Sequence, residues 1–371
     1  MISELLDHLG HRLALDPEAC ERRFLTQHPL QPFSRRYFAG DGRLFSYSSR
    51  NLLIAQSLLA PPATYPGLFA GHPETEPDPK EGEIELETLI DFFTHPVRFL
   101  LQKRYDLHLD PREEEPFDRE PFDLDHLKAY NLRSRLTKQT LSTGGADRLP
   151  VVQARGEVAW GLTGRLQYQG CQAEVEQLAR RVRELGGEPR PPLPVRLDLG
   201  GTLLFGTLNN LSQDGQLLYR AGKLSSQSHA DLIKLWLRHL VLCLAQPEDQ
   251  PQASFIYQDG LWRHEFQPQA RQHLLRLLVL YRYGQRRPLP LLPKASLAYA
   301  KKLEAGGAQA LEQARQTWEE GAFNQEPEGR DPYLAAAFGD LDPLAGDGPY
   351  DFAEVARLAL VPPLSLGSKR S

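Results

Sequence analysis

The chain has 371 residues, 41% hydrophobic and 25% charged, an ordinary balance for a globular protein that excludes disordered and collagen-like classes. That length exceeds the size at which one core usually stops growing, so a main domain with an appended piece is expected. A net charge of −5 excludes a protein that coats nucleic acid through overall charge and leaves only a local basic groove open.

The N-terminus lacks the charged, apolar and small-residue succession of a secretory leader, and no apolar run is long enough to span a bilayer, so a soluble cytoplasmic protein is expected. Met1 is the single methionine and fits an added start codon as well as a natural one. Cys20, Cys171 and Cys243 lie far apart without a CxxC pair, which reads as reduced, buried structural thiols and not as a zinc site.

Residues 1–70 form the appended segment. Leu5, Leu6, Leu9 and Leu13 mark a first helix, halted by Asp16-Pro17. His28-Pro29 and Gln31-Pro32 hold the backbone extended, residues 43–48 alternate as a short strand, and residues 51–59 form a further short helix. His28, alone before a proline, reads as a packed loop residue. Residues 71–85, rich in Pro and Glu, are a linker or exposed loop, and residues 86–371 are the main domain.

In that domain Leu86, Leu89, Ile90 and Phe93, then Val97, Leu100 and Leu101, recur at helical spacing around Pro96, giving two helices or one kinked helix. An acidic, Pro-containing loop covers residues 110–125, and residues 124–136 resume as helix with Arg133, Arg135 and Lys138 at its end, as solvated helix-end charges or a DNA patch. Residues 149–160 carry Pro150 and Gly156 and are expected as loop or short edge strand. Residues 172–185 form an amphipathic helix ended by Gly186-Gly187.

Residues 197–245 organise the domain. Apolar positions from Leu197 to Leu208 break at residues 212–215 and resume at Leu217, Leu218 and Tyr219, the pattern of strands joined by a tight turn. From His229 to Ala245 apolar residues surround the helix on nearly every face, which requires burial between a sheet and other helices. A hairpin follows across Asp259-Gly260, then a helix opened by Pro268, and after Gly284 Pro-rich connections alternate with helices near residues 308–320 and 352–360, pinned by Trp318 and Phe323. Strand, strand, buried helix predicts an α/β domain with a central mixed sheet.

Local catalytic signatures are lacking. Gly222-Lys223 has Leu217 where a phosphate-binding loop needs its first glycine and Leu224 where it needs Ser or Thr, and no HExxH, GxSxG or EF-hand pattern occurs. No cofactor and no metal site is expected.

Several stretches carry a resemblance: residues 28–34 with Tyr37-Phe38, residues 89–99, residues 120–124 with Tyr130, residues 219–223 with residues 236–240, and Pro288-Leu289-Pro290 with residues 296–300. In these the chain resembles the gamma subunit (RecC) family of bacterial exodeoxyribonuclease V, the RecBCD helicase-nuclease, from about His28 onward. The family's chains are far longer, so the resemblance implies a C-terminal portion, expressed as a fragment, with residues 1–70 a remnant of the preceding helicase-like region.

The same resemblance implies a degenerate PD-(D/E)XK (restriction-endonuclease-like) nuclease fold, in which the metal-binding carboxylates are replaced. Asn209 stands where the first strand would end in Asp, and Tyr219-Arg220-Ala221 stands in place of the acidic-x-Lys triplet. Loss of that negative charge removes the ligands of a hard cation, and Arg220 would repel one. The implied function is non-catalytic: DNA handling and scaffolding in double-strand break repair, splitting duplex or forked DNA and contacting RecB and RecD. Arg220, Lys223, Arg286 and Arg287 are the candidate phosphate contacts, each also readable as an ordinary solvated charge. Two alternatives stand beside it, an active nuclease using displaced carboxylates such as Asp198 and a purely structural interaction module.

Overall fold

In the computed structural model the described residues are 2–40, 42–59, 65–69, 82–109, 124–144, 148–321, 326–346 and 350–370. The chain divides into two compact units, Met1–Tyr65 and Pro66–Ser371. In the first, α1 (Ile2–Leu13) is followed by α2 (Pro17–Phe24), because Asp16-Pro17 both ends one helix and starts the next. The Asp16 carboxylate accepts from the Ala19 amide at 2.7 Å, and Pro17 takes the first-turn position where a missing N–H costs nothing. Cys20 is buried and donates to the Leu6 carbonyl at 3.1 Å. The strand expected over residues 43–48 does not form. The described part of this unit offers it no partner strand, and Tyr47 stays 94% exposed. Ser48 caps α3 (Ser49–Ser57), near the expected position.

The second unit begins its described core with β1 (Glu83–Glu85), a strand where a linker was expected. The rest of that stretch, residues 71–81, lies outside the described residues. Pro96 separates α4 (Leu86–Thr94) from α5 (Pro96–Tyr105), and His95 Nδ1 accepts from the Arg98 amide at 3.2 Å to cap α5. The acidic loop 110–123, with the motif residues 120–123, also falls outside the described residues. α6 (His126–Thr143) forms where a helix was expected over residues 124–136 but runs seven residues further, so Arg133, Arg135 and Lys138 lie within it and not in its last turn. Residues 149–160 contain α7 (Leu149–Ala154), since Pro150 in a first turn is compatible with a helix. α8 (Gly161–Gly186) starts eleven residues before the expected 172. Its glycines lower helix propensity and hid its first half. Gly164 is required there, because a Cβ would lie 1.7 Å from the Ala159 carbonyl oxygen.

The residues 197–208 that read as one apolar run are split between two strands. β2 (Pro189–Arg190) precedes β3 (Leu193–Asp198), which turns at Gly200-Gly201, both at positive φ, and pairs antiparallel with β4 (Leu203–Leu208). β1 adds parallel to β4, completing a three-stranded sheet in the order β1-β4-β3. The chain then passes into β5 (Leu211–Ser212) and β6 (Gly215–Tyr219), which pair across the tight turn expected at residues 212–215.

The helix α9 (His229–Ala245) crosses over to β7 (Gln252–Tyr257), which lies parallel to β6. β8 (Gly260–His264) returns antiparallel across the turn that contains Asp259. Gly260 has ordinary φ. It is there for proximity, because a Cβ would meet the Leu224 side chain at 3.0 Å and the Arg370 carbonyl oxygen at 3.1 Å.

Burial explains the crossover. Trp236, Leu237 and Leu240 of α9 are fully buried among Leu89 and Phe93 of α4 and Leu204 of β4, and Leu235 packs on Phe255 and Tyr257 of β7. The intervening Ile256 faces the other way, onto Leu178 of α8. β7 therefore has apolar cover on both faces, the condition for a parallel pair inside an α/β layer. α10 (Ala270–Gly284) begins two residues after Pro268, and α11 (Ala295–Glu304), α12 (Ala310–Glu319) and α13 (Pro332–Phe338) follow. Trp318 is held edge-on to Phe338 at 6.4 Å, while Phe323 is outside the described residues. α14 (Phe352–Ser365) packs Val355 and Ala359 into the same core as α9, and β9 (Gly367–Arg370) completes the second sheet in the order β2-β5-β6-β7-β8-β9. Among the described residues the fold is α/β with mixed sheets, as expected, but the strands form two sheets.

Trp236→Ala is expected to destabilise the chain by about 3–5 kcal/mol, read as a fall in the urea midpoint at unchanged slope. Three buried histidines add a pH dependence. Burial pushes His229 and His239 down to about 4 and His264 to about 3, so all three fold neutral. Between those values and the unfolded value near 6.5 the unfolded chain binds more protons. Stability is therefore complete above pH 6.5 and is lost as pH falls towards 4, by up to about 1.4 kcal/mol per ring per pH unit. The urea midpoint should be lower at pH 5 than at pH 7.5, and His239→Gln should reduce the difference.

Candidate functional site

Arg220 sits at the corner where β6 hands over to α9. Its amide donates to the Ile256 carbonyl at 2.9 Å, continuing the β6–β7 ladder one residue past the strand. The following segment is pinned from below: the Leu224 amide donates to the Asp259 carboxylate at 2.6 Å, and the Gln258 amide donates to the Gly222 carbonyl at 2.9 Å. Ser228 and Asp231 then cap α9 reciprocally.

The Arg220 side chain turns inward. Its guanidinium pairs with Asp231, donates from Nε to the Tyr130 hydroxyl of α6 at 3.1 Å, and lies over the Tyr130 ring at 5.1 Å. Burial opposes the charge, but the Asp231 carboxylate outweighs it and moves the guanidinium pKa up. Arg220 thus ties β6, α9 and α6 together, and most of its charge is spent on Asp231.

Two depressions meet at this residue. The smaller, about 400 Å³, contains Tyr219, Arg220 and Ala221, with Lys138 of α6 and Lys234 and Arg238 of α9 around it. Lys138 and Lys234 are exposed and form no ion pair among the described residues, whereas Arg238 pairs with Glu87 at 2.6 Å. Desolvation raises the Tyr219 phenol pKa, so it stays neutral. The larger depression, about 930 Å³, lies between α5, α11 and the 225–230 segment, with Arg98, Lys294, Lys301 and Lys302 along it and no carboxylate in its lining. Lys301 is open to water yet set in a concave wall, and desolvation there lowers its pKa.

The expected site residues are only partly brought together. Tyr219, Arg220 and Ala221 share the smaller depression, but the residue after β4 that lines it is Asn210, and exposed Asn209 is not part of the lining. Lys223 is exposed beside the larger one. Arg286 and Arg287, half-buried after α10, line neither, and Arg287 lies over the Tyr283 ring at 5.4 Å. Asp198 pairs with Leu203 at the far end of the β3–β4 hairpin, with its carboxylate on the Gly201 amide at 3.0 Å. Six residues of β4 separate that end from Asn209, roughly 20 Å at the usual rise per residue. Among the described residues no group of three or more His, Cys, Asp or Glu is placed to hold a metal ion, and no helix is long and apolar enough to cross a membrane. Lys294, Lys301 and Lys302 were missed because they carry no local motif. Only the tertiary fold sets α11 opposite the 225–230 segment.

A βαβ crossover covered by helices, with Lys138, Arg220, Lys234 and Arg238 around the hollow at its corner, makes the second unit an α/β domain with mixed sheets. The chain belongs to the family described as RecC C-terminal domain, which matches residues 81–304. It is similar to the RecBCD enzyme subunit RecC of Escherichia coli (strain K12), 31% identical over 81% of this chain and 27% of that protein. The RecC subunits of Mycolicibacterium smegmatis (26% identical, 82% of this chain, 28% of that protein) and Haemophilus influenzae (23%, 76% and 24%) are also similar. The chain therefore spans about a quarter of the length of these curated relatives.

Arg220→Ala should cost about 3 kcal/mol, because it leaves the nearly buried Asp231 carboxylate unpaired. A double-mutant cycle with Asp231→Asn is expected to show a coupling of at least about 1 kcal/mol by urea denaturation. Additive effects would mean that the pair contributes nothing.

Proposed function

We propose that this chain is a non-catalytic DNA-handling and scaffold part of a RecBCD-type complex in double-strand break repair and recombination, in contact with RecB and RecD and with duplex or forked DNA. The observation that carries it is the family match over residues 81–304 together with the cationic corner at Tyr219-Arg220-Ala221. The order β3, β4, β6, α9, β7, with β6 and β7 parallel, supports a degenerate PD-(D/E)XK fold in which that corner replaces an acidic site. On this proposal residues 1–70 are the remnant of a preceding helicase-like region, residues 86–371 are the nuclease-like domain, and the setting is cytoplasmic.

The phosphate contacts are assigned to Lys223, Lys138 and Lys234, with Arg220 acting mainly to hold the corner that presents them. Arg286 and Arg287 are retained as outer contacts. A scaffold role is supported by apolar side chains left in solvent at the start of α8: Trp160 is exposed, and Leu162 and Leu166 stand one turn apart on one helix face. Asp198, at the wrong end of its hairpin, offers an active nuclease nothing at the corner.

Binding of a forked duplex should be weak, independent of sequence and steeply salt-dependent, with each of Lys223→Ala, Lys138→Ala and Lys234→Ala lowering the slope of log affinity against log salt by about one unit. The same substrate should remain uncut with magnesium or manganese. Slopes unchanged in all three variants would take DNA off this face, and no binding at low salt would leave the purely structural role.

A further inference from the structure

We propose that the larger depression, between α5, α11 and the 225–230 segment, is a docking groove for an acidic, aliphatic-rich segment of a protein partner. This goes beyond the DNA contacts assigned to Lys223, Lys138 and Lys234, uses none of those side chains and does not depend on them. The groove has two unlike parts. The apolar part of its lining, its floor, is Leu297 and Ala298 of α11 with Ala305 just past the helix, Pro293 and Ala230; the cations Arg98, Lys294, Lys301 and Lys302 make its rim, and the rest of the lining is mainly hydroxyls and side-chain amides. None of these four cations forms an ion pair among the described residues, and no carboxylate lines the groove. Acids around it are already engaged: buried Glu328 accepts from the Lys294 and Ala295 amides at 2.7 and 2.6 Å, Asp331 caps α13, and Asp231 pairs with Arg220. The rim charge is therefore left for a ligand.

A nucleic-acid strand would use the rim and waste the floor. Sequence-tolerant strand binding relies on aromatic faces that stack bases. The rings lining this groove belong to His95 and His229, both buried and each held by its own contacts: His95 caps α5, and His229 Nε2–H donates to the Phe93 carbonyl at 2.6 Å. The Nδ1 of His229 is buried and has no hydrogen-bond partner among the described residues. An acidic segment with aliphatic anchors uses both parts: leucine-like side chains on the floor and carboxylates on the rim.

The test is fluorescence anisotropy on the full 371-residue chain with three labelled probes at about 0.1 M salt: a 16-residue peptide of Glu and Leu with helical amphipathic spacing, an all-Glu peptide of equal length, and an oligo-dT strand. The Glu-Leu peptide is expected to bind, with the all-Glu peptide at least tenfold weaker. Lys301→Glu combined with Lys302→Glu, both exposed and so tolerated by the fold, should weaken the Glu-Leu peptide tenfold or more. Leu297→Asp should do the same without altering oligo-dT binding, and circular dichroism verifies the fold of both variants. The proposal fails if the peptide does not bind, if the lysine reversal leaves its affinity unchanged, or if oligo-dT competes with it and is lost in the same variants, which would make the groove a strand path. Because Lys223, Lys138 and Lys234 are untouched, forked-duplex binding can persist while peptide docking fails, and the reverse.

Discussion

A helix with almost no polar face must be enclosed, and the enclosure of α9 sets the rest of the second unit in place. Of its seventeen residues only Lys234 is exposed. Covering the remainder takes α4, α10 and α14 on one side and the β6–β7 layer on the other. Because α9 is also the crossover between two parallel strands, satisfying its hydrophobic demand fixes the sheet order and brings the end of β6 against the start of α9. The cationic corner is a by-product of that closure. Its few polar positions, Asp231, Lys234 and Arg238, follow one another at i, i+3 and i+7 and look into the smaller hollow together.

Charge at this corner is arranged in two grades. Arg220 is inward, hydrogen-bonded and paired, and its loss would be felt as instability. The surrounding lysines are outward and carry no such burden, so they can be altered without dismantling the fold. A sequence motif centred on Arg220 therefore points to a paired, inward side chain, and the exposed, unpaired charge around it belongs to Lys138 and Lys234, which no motif singles out.

Legibility followed locality. The burial of α9, the break at Pro96 and the turn at residues 212–215 were written in short-range periodicity and turn chemistry, and each lies where expected. Misjudgements arose where a local rule met a distant neighbour. The glycines of α8 read as interruptions because the close approach of Ala159 to Gly164 is not visible in sequence. Leu197 to Leu208 read as one run because Gly200-Gly201 sits inside an apolar pattern. Residues 43–48 alternate like a strand and lack an edge to join. Glu83 to Glu85 look like linker and become a strand through parallel pairing with residues 203–205, which no local pattern announces. The larger groove was illegible for the same reason, as α5 and α11 are nearly 200 residues apart in the chain.

The pairing of β8 with β9 has a consequence for how the molecule is made. Leu261 faces Arg370, and His264 faces Gly367, across more than a hundred intervening residues whose described part includes the five helices α10 to α14. The outer edge of β8 cannot be covered until all of that stretch exists, so a nascent polypeptide would carry an open sheet edge while about a hundred residues after β8 are made. Non-local closures of this kind are slow, and unpaired edges are where strands from separate chains find one another. Completion of the sheet falls to a four-residue strand bearing Lys369 and Arg370, whose like charges repel the same strand on a neighbouring molecule once the edge is sealed.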